Sequence, residues 1–192
     1  MRLFEYEPDD PDADELFEDL GPDPVSESQA RSTLHGREFD REALEFLEQL
    51  GARVVATDIG VLGYHLDAEI EGANGSRYYV DGHGTPDRTD RPKAGMRRDD
   101  TMLKFGFKAL RLHQLDCPHP LLLVTSHLPR PQSRSAFLLR ELGDVVFDAV
   151  ATVGDLGGQQ RLRAYFNDDP APTAPLPAPW RVAEEQMELF DA

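Results

Sequence analysis

The 192 residues contain one cysteine, Cys117, and one tryptophan, Trp180. A single thiol excludes an intramolecular disulfide framework and any zinc site built from cysteines alone. Long apolar runs are also missing. Leu121 to Val124 is typical, so no membrane-spanning helix is expected. No glycine-rich phosphate loop of the GxGxxG type occurs, which ranks a nucleotide-dependent small-molecule enzyme last. The first residues show no basic region followed by an apolar stretch. No secretory signal is therefore expected, and the expected location is cytoplasmic. His113, Cys117, His119 and His127 are rich in metal-ligating types. Cys117 and His119 nevertheless sit too close together for a zinc ligand pair, and a strand carries His127 away.

What is plentiful is acid. With 36 acidic and 20 basic residues the formal net charge is -16, which would oppose a phosphate-bearing partner if it were spread evenly. It is not. Residues 1–30 hold eleven acids and one base, and residues 166–192 hold six acids and one base. Residues 31–165 are left with 19 acids and 18 bases, close to neutral. This divides the chain into an acidic tail (1–30), an α/β domain (31–165) and a Pro-rich linker with a C-terminal peptide (166–192). Both tails read as disordered from composition. The run Pro170 to Pro179 reads as an extended spacer, with Trp180 as a possible anchor at its far end.

In the middle, Asp40 is placed to cap a helix from about Arg41 to Leu50, with Ala43, Phe46, Leu47 and Leu50 at helical spacing. Arg53 to Thr57 is β-rich. Gly63 to Glu71 alternates, with Tyr64, Leu66, Ala68 and Ile70 on one side and His65, Asp67, Glu69 and Glu71 on the other. Asn74-Gly75 signals a hairpin to a strand over Arg77 to His83. A two-residue loop would set Leu66 against Asp81 and mix polar with apolar on each face. A three-residue loop pairs Gly72 with Ser76, Ile70 with Tyr78, Ala68 with Val80, Asp67 with Asp81 and His65 with His83. Only the second keeps each face uniform. It puts two carboxylates and two imidazoles on one polar face.

Asp99 or Asp100 can cap a helix to about His113, with Met102, Phe105, Ala109 and Leu112 inward and Lys104, Lys108 and Arg111 on one basic stripe. Leu121 to Ser126 reads as a buried strand. Ser133 to Leu142 reads as a helix burying Phe137 and Leu138, and Val145 to Val150 as a strand. Residues 88–111 hold eight bases against three acids, a local excess suited to a phosphate backbone. Arg97, Arg98, Lys104, Lys108 and Arg111 are the candidate nucleic-acid contacts.

Facing carboxylates beside a basic helix suit a divalent ion in phosphoryl chemistry. The element order, with Asp67 on one strand and Val80-Asp81-Gly82-His83 on the next, resembles the PD-(D/E)XK nuclease superfamily over about residues 40–150. The resemblance implies a restriction-endonuclease-like αβββαβ core with helices on both faces of a central mixed sheet. It implies a metal-dependent nuclease of DNA repair or processing, with Mg or Mn held by Asp67 and Asp81. Glu48 or Glu45 would match the family's helical glutamate. His83 stands where the family has lysine. Lys104 or Lys108 on the following helix could supply the missing ammonium, and a protonated His83 part of it.

Gln186, Leu189 and Phe190 resemble the bacterial sliding-clamp-binding peptide, with Leu and Phe as apolar anchors and Gln as the polar contact. That resemblance implies tethering to the replication clamp and, with the DNA reading, a nucleoid-associated location. Leu16, Phe17 and Leu20 among acids form a second partner-binding or solubilising segment. The competing reading is a non-catalytic adapter that keeps the nuclease fold and acts through its tails.

Overall fold

The computed structural model describes residues 24–85 and 95–181, with side chains from residue 37 onward in the first stretch. Two units divide the chain, residues 1–34 and 35–192. The second carries the sheet.

The element order is α1 (Pro24–Gln49), β1 (Ala52–Val61), β2 (Tyr64–Gly72), β3 (Arg77–His83), α2 (Asp99–Gln114), β4 (Leu121–Thr125), α3 (Arg134–Glu141), β5 (Asp148–Ala151) and α4 (Leu156–Asn167). A 3-10 turn, Gly95–Arg97, precedes α2. The expected αβββαβ order therefore runs from α1 to β4. The five strands form one sheet in the order β1-β2-β3-β4-β5. β2 is antiparallel to both neighbours, whereas β3, β4 and β5 are mutually parallel. β4 is buried along its whole length, as a strand covered on both faces must be.

Two apolar clusters fill the two faces. Phe39, Ala43 and Leu47 of α1 and Leu162, Tyr165 and Phe166 of α4 pack on Ile70, Val80, Val124 and Val150. Met102, Phe105, Ala109 and Leu112 of α2 and Leu139 of α3 pack on Tyr79, Leu121, Leu123 and Ala149. Helices on both faces of a mixed sheet are thus what the sequence led one to expect.

Several details differ from the sequence reading. Asp40 is no cap. It lies inside α1, whose apolar period already includes Phe39, four residues before Ala43. Helix α1 also takes in residues 24–30, read from composition as tail; proline at a first helical position supplies a preset φ. Arg98, not Asp99 or Asp100, occupies the N-cap of α2, while Asp99 accepts from Ser135 of α3 at 2.6 Å. In α3 the buried residues are Ser135 and Leu139, Leu138 is partly buried against the second cluster, and Phe137 is exposed. α4 was not anticipated. Its first turn contains Gly157 and Gly158, poor helix formers, and its start depends on Asp155 accepting from the Gly158 N–H at 2.8 Å.

The hairpin register is the three-residue-loop one. Gly72 N–H donates to Ser76 O, Ile70 pairs with Tyr78, Ala68 with Val80, and Gly75 takes φ +80°. The ladder ends at Ala68–Val80, so the expected Asp67–Asp81 and His65–His83 pairs do not form: the Asp67 side chain takes the Gly82 N–H instead, and His65 faces Asp58 on β1. Burial along β2 alternates as expected, with Leu66, Ala68 and Ile70 buried and Asp67 and Glu69 less so. Ala68 and Ile70 contribute to the first cluster, whereas Leu66 contributes to the second, with Tyr64 packed against it.

The Pro/Ala-rich segment is extended but held on the domain. Leu176 N–H donates to Tyr165 Oη at 2.8 Å, Ala178 is buried, and Trp180 Nε1 donates to Asp148 Oδ1 at 3.1 Å. Arg181 donates to the carbonyls of Gly143, Val146 and Phe147 and lies over the Trp180 ring. Among the described residues no helix is long and apolar enough to cross a membrane.

Candidate active site

The break in β2–β3 pairing is the starting point. Where the next ladder bond would form, the Asp67 side chain takes over: its Oδ2 accepts from the Gly82 N–H at 2.5 Å. Strand β3 continues beside β4, pairing Asp81 with Leu123 and His83 with Thr125. The Asp81 and His83 side chains thus come out next to β2's divergent end. Crevices outside the carboxyl ends of parallel strands are where α/β sheets commonly bind ligands.

Asp81 is almost fully buried, with 2% of its surface exposed. Lys108 of α2 reaches it with Nζ 2.7 Å from Oδ1, and His83 Nε2 lies 3.2 Å from Oδ2. Burial pushes the Asp81 carboxyl up, but His83 and Lys108 outweigh that and hold it below the ordinary carboxylate range. The His83 ring rests edge-on against Phe105.

Among the described residues, Asp67 and Asp40 have no such ion-pair partners. Asp67 is raised, first by burial and then by the neighbouring Asp81 charge, against the opposing Gly82 N–H. Asp40, half-buried on α1, is raised to about 6 by burial and by the charge of Asp67. Its Oδ1 lies 3.6 Å, and Asp67 Oδ2 3.3 Å, from where a Cβ on Gly82 would sit. Close approach of α1 also requires Gly84. A Cβ there would come within 2.5 Å of the Phe39 ring. The small Gly82 and Gly84 flanking His83 let Phe39 and Asp40 against the strand.

The structure therefore gathers Asp67, Asp81, His83 and Lys108 from among the sequence candidates, and adds Asp40. Glu48 and Glu45 are not brought in. Both are exposed, Glu45 facing Arg41 at 3.7 Å, and Glu48 lies about 12 Å along the helix from Asp40 at 1.5 Å per residue. The helical acid of this site is Asp40. Its signal was present in the Phe39–Ala43–Leu47 spacing, which runs the helix through residue 40. Lys104 is exposed, one turn before Lys108, in the field of Asp100. Arg98 is paired with Asp100 at 2.9 Å, and Arg111 donates to Gln114 Oε1 at 2.8 Å and Tyr64 Oη at 3.4 Å. Arg97 closes the 3-10 turn. His65 is exposed and lies 2.5 Å from Asp58 on β1. Gln186, Leu189 and Phe190 lie outside the described residues.

The donor set is oxygen-rich, matching a hard divalent cation. Among the described residues no three His, Cys, Asp or Glu side chains are gathered tightly enough to hold a metal by themselves. Mg²⁺ commonly uses one or two carboxylates and completes its shell with water and phosphate oxygens.

No protein-family model and no curated protein matches the chain. One solved structure is similar: that of Pyrococcus furiosus SfsA in complex with Ca²⁺, at 19% identity and a TM-score of 0.37. The match covers 66% of this chain and 60% of that one, so the chain spans less than two thirds of that protein.

Proposed function

We propose that the chain is a divalent-metal-dependent nuclease acting on DNA in repair or processing, with Asp40, Asp67, Asp81 and Lys108 as its centre. The observation that carries this reading is the 2.7 Å contact between Lys108 and Asp81. It brings an ammonium from α2 to the acid beside His83, the strand position where the resemblance called for lysine.

Asp67 and Asp81 are the ligands assigned to Mg²⁺ or Mn²⁺, with Asp40 beside them. The raised carboxyls of Asp40 and Asp67 support this: burial raises them first, neighbouring carboxylates add to it, and a bound divalent ion offsets both effects. Such an ion, when bound, supplies an activated water and charge neutralisation at a phosphoryl group. The chain's own groups do the rest. Lys108 fixes one Asp81 oxygen and offers positive charge to a phosphate oxygen. His83 orients the other oxygen. The Gly82 N–H holds Asp67 in place.

Cleavage of branched, mismatched and single-stranded DNA with Mn²⁺ tests the reading. Wild type is expected to cleave at least one, chelator to stop it, and Asp67→Asn and Asp81→Ala to lose about 100-fold or more. Cleavage by both variants at the wild-type rate would sink it. The C-terminal Gln186, Leu189 and Phe190 belong to the same reading as attachment to a sliding clamp. It is supported by their spacing and by the Trp180–Arg181 anchor, with only four residues between Arg181 and Gln186.

A further inference from the structure

Helix α2 carries more than Lys108. On its outer side Leu103, Phe107 and Leu110 are 48%, 63% and 42% exposed. They recur at i, i+4 and i+7, so they form one continuous apolar stripe. At 100° per residue the surface can be followed around the helix. Lys108 points at Asp81. Lys104 and Arg111 come next, then the Phe107 stripe, and then α3, whose Leu142 lies on Gly106. The basic row therefore lies between the acidic site and the apolar stripe. On α3, Phe137 is also exposed, with the Arg140 guanidinium 4.9 Å from its ring centroid. Among the described residues the acids near this surface are Asp99, one turn before Leu103 and accepting from Ser135, Asp100, paired with Arg98, and the exposed Glu141.

A row of large exposed apolar side chains on a charged protein marks a binding surface. An exposed aromatic ring beside a cationic row fits a ligand that has both π-faces and phosphates. Duplex DNA keeps its base faces stacked inside, whereas a single strand offers them. We propose that the outer face of α2 is a platform for single-stranded nucleic acid: a base stacks on Phe107, Lys104 and Arg111 hold the adjoining phosphates, and the strand runs over the basic row into the acidic site. This rests on the phosphodiester reading above and adds the strandedness of its substrate.

Binding and chemistry can be read separately. A labelled single-stranded oligodeoxynucleotide and the matching duplex are titrated with the full chain in chelator, by fluorescence anisotropy, for wild type, Phe107→Ala and Phe107→Trp. Wild type is expected to favour the single strand. Phe107→Ala should weaken single-strand binding about tenfold, and Phe107→Trp should restore it. The position is exposed, so circular dichroism should show both variants folded. Equal single-strand affinity of wild type and Phe107→Ala overturns the platform, as does tighter binding of duplex. So does sedimentation showing that Phe107→Ala only dissociates a dimer. Mn²⁺-dependent cleavage by Asp67→Asn reads the chemistry alone. If that variant cleaves like wild type, the phosphodiester reading fails whatever the anisotropy shows.

Discussion

Lys108 and Asp81, 27 residues apart in sequence, meet at 2.7 Å in a site where the carboxylate is 2% exposed. A carboxylate buried that deeply is tolerable only while its partners remain. Lys108→Met should therefore destabilise the domain by about 3 kcal/mol as well as remove activity. Adding Asp81→Asn to it should recover much of the lost stability and none of the activity. Urea denaturation of the two singles and the double would measure the coupling.

Asp40 gives a pH signature. Its folded carboxyl titrates at about 6, above its usual 3.8, so the native state holds the proton more tightly than the unfolded chain. Native stability at this group is therefore greatest below pH 3.8 and falls as pH rises through 6. Asp40→Asn removes the charge that causes the loss. In chelator it should raise stability by about 1 kcal/mol at pH 7.5, the figure being reduced for the half-exposed position. The advantage should vanish near pH 4. Thermal melts across that range check it. A constant difference would assign the effect to something other than titration.

The Asp148 network predicts a different failure. Asp148 is wholly buried and accepts from Arg161 at 2.7 Å, Tyr165 at 3.1 Å and Trp180 at 3.1 Å. Asp148→Ala leaves the Arg161 guanidinium buried without its carboxylate, a loss of about 3–5 kcal/mol. Trp180→Ala removes only the outer member. It should leave the domain folded and speed proteolysis within residues 170–181, where the Leu176 and Arg181 hydrogen bonds remain but the Trp180–Asp148 anchor is lost. Time-resolved digestion with mass mapping distinguishes the two.

Clamp attachment has its own test. Leu189→Ala with Phe190→Ala should abolish retention on an immobilised bacterial sliding clamp without changing the melting temperature, since both residues lie beyond the anchored Arg181. Undiminished retention would remove the clamp from the proposed function.

The hairpin shows why part of this fold was legible. Strand side chains alternate with period two, so a one-residue slip exchanges the faces of Ile70 and Tyr78 with those of Glu71 and Tyr79. The pattern in the sequence was enough to choose the register, and the structure has it. Helix α2 was legible for the same kind of reason, because Met102, Phe105, Ala109 and Leu112 share one face. The site was only partly so. Asp67, Asp81 and His83 were legible from the alternation of two neighbouring strands, although the pairing stops at Ala68–Val80 and the Asp67 side chain replaces the next ladder bond, whereas Lys104 and Lys108 share the basic stripe and nothing local separates them. Lys108 is the one whose side of the helix meets Asp81.

Sequence alone determined the α/β class, the hairpin register, the basic stripe and the gathering of net charge into two end segments, because each depends on neighbours along the chain. Only the tertiary structure decided that Asp40 rather than Glu48 joins the acids, that Lys108 turns inward, that Phe137 stays outside and that residues 170–181 lie on the domain. Those outcomes depend on which surfaces meet across the sheet, and on where Gly82, Gly84 and Asp148 leave room or supply a partner. No local period encodes that.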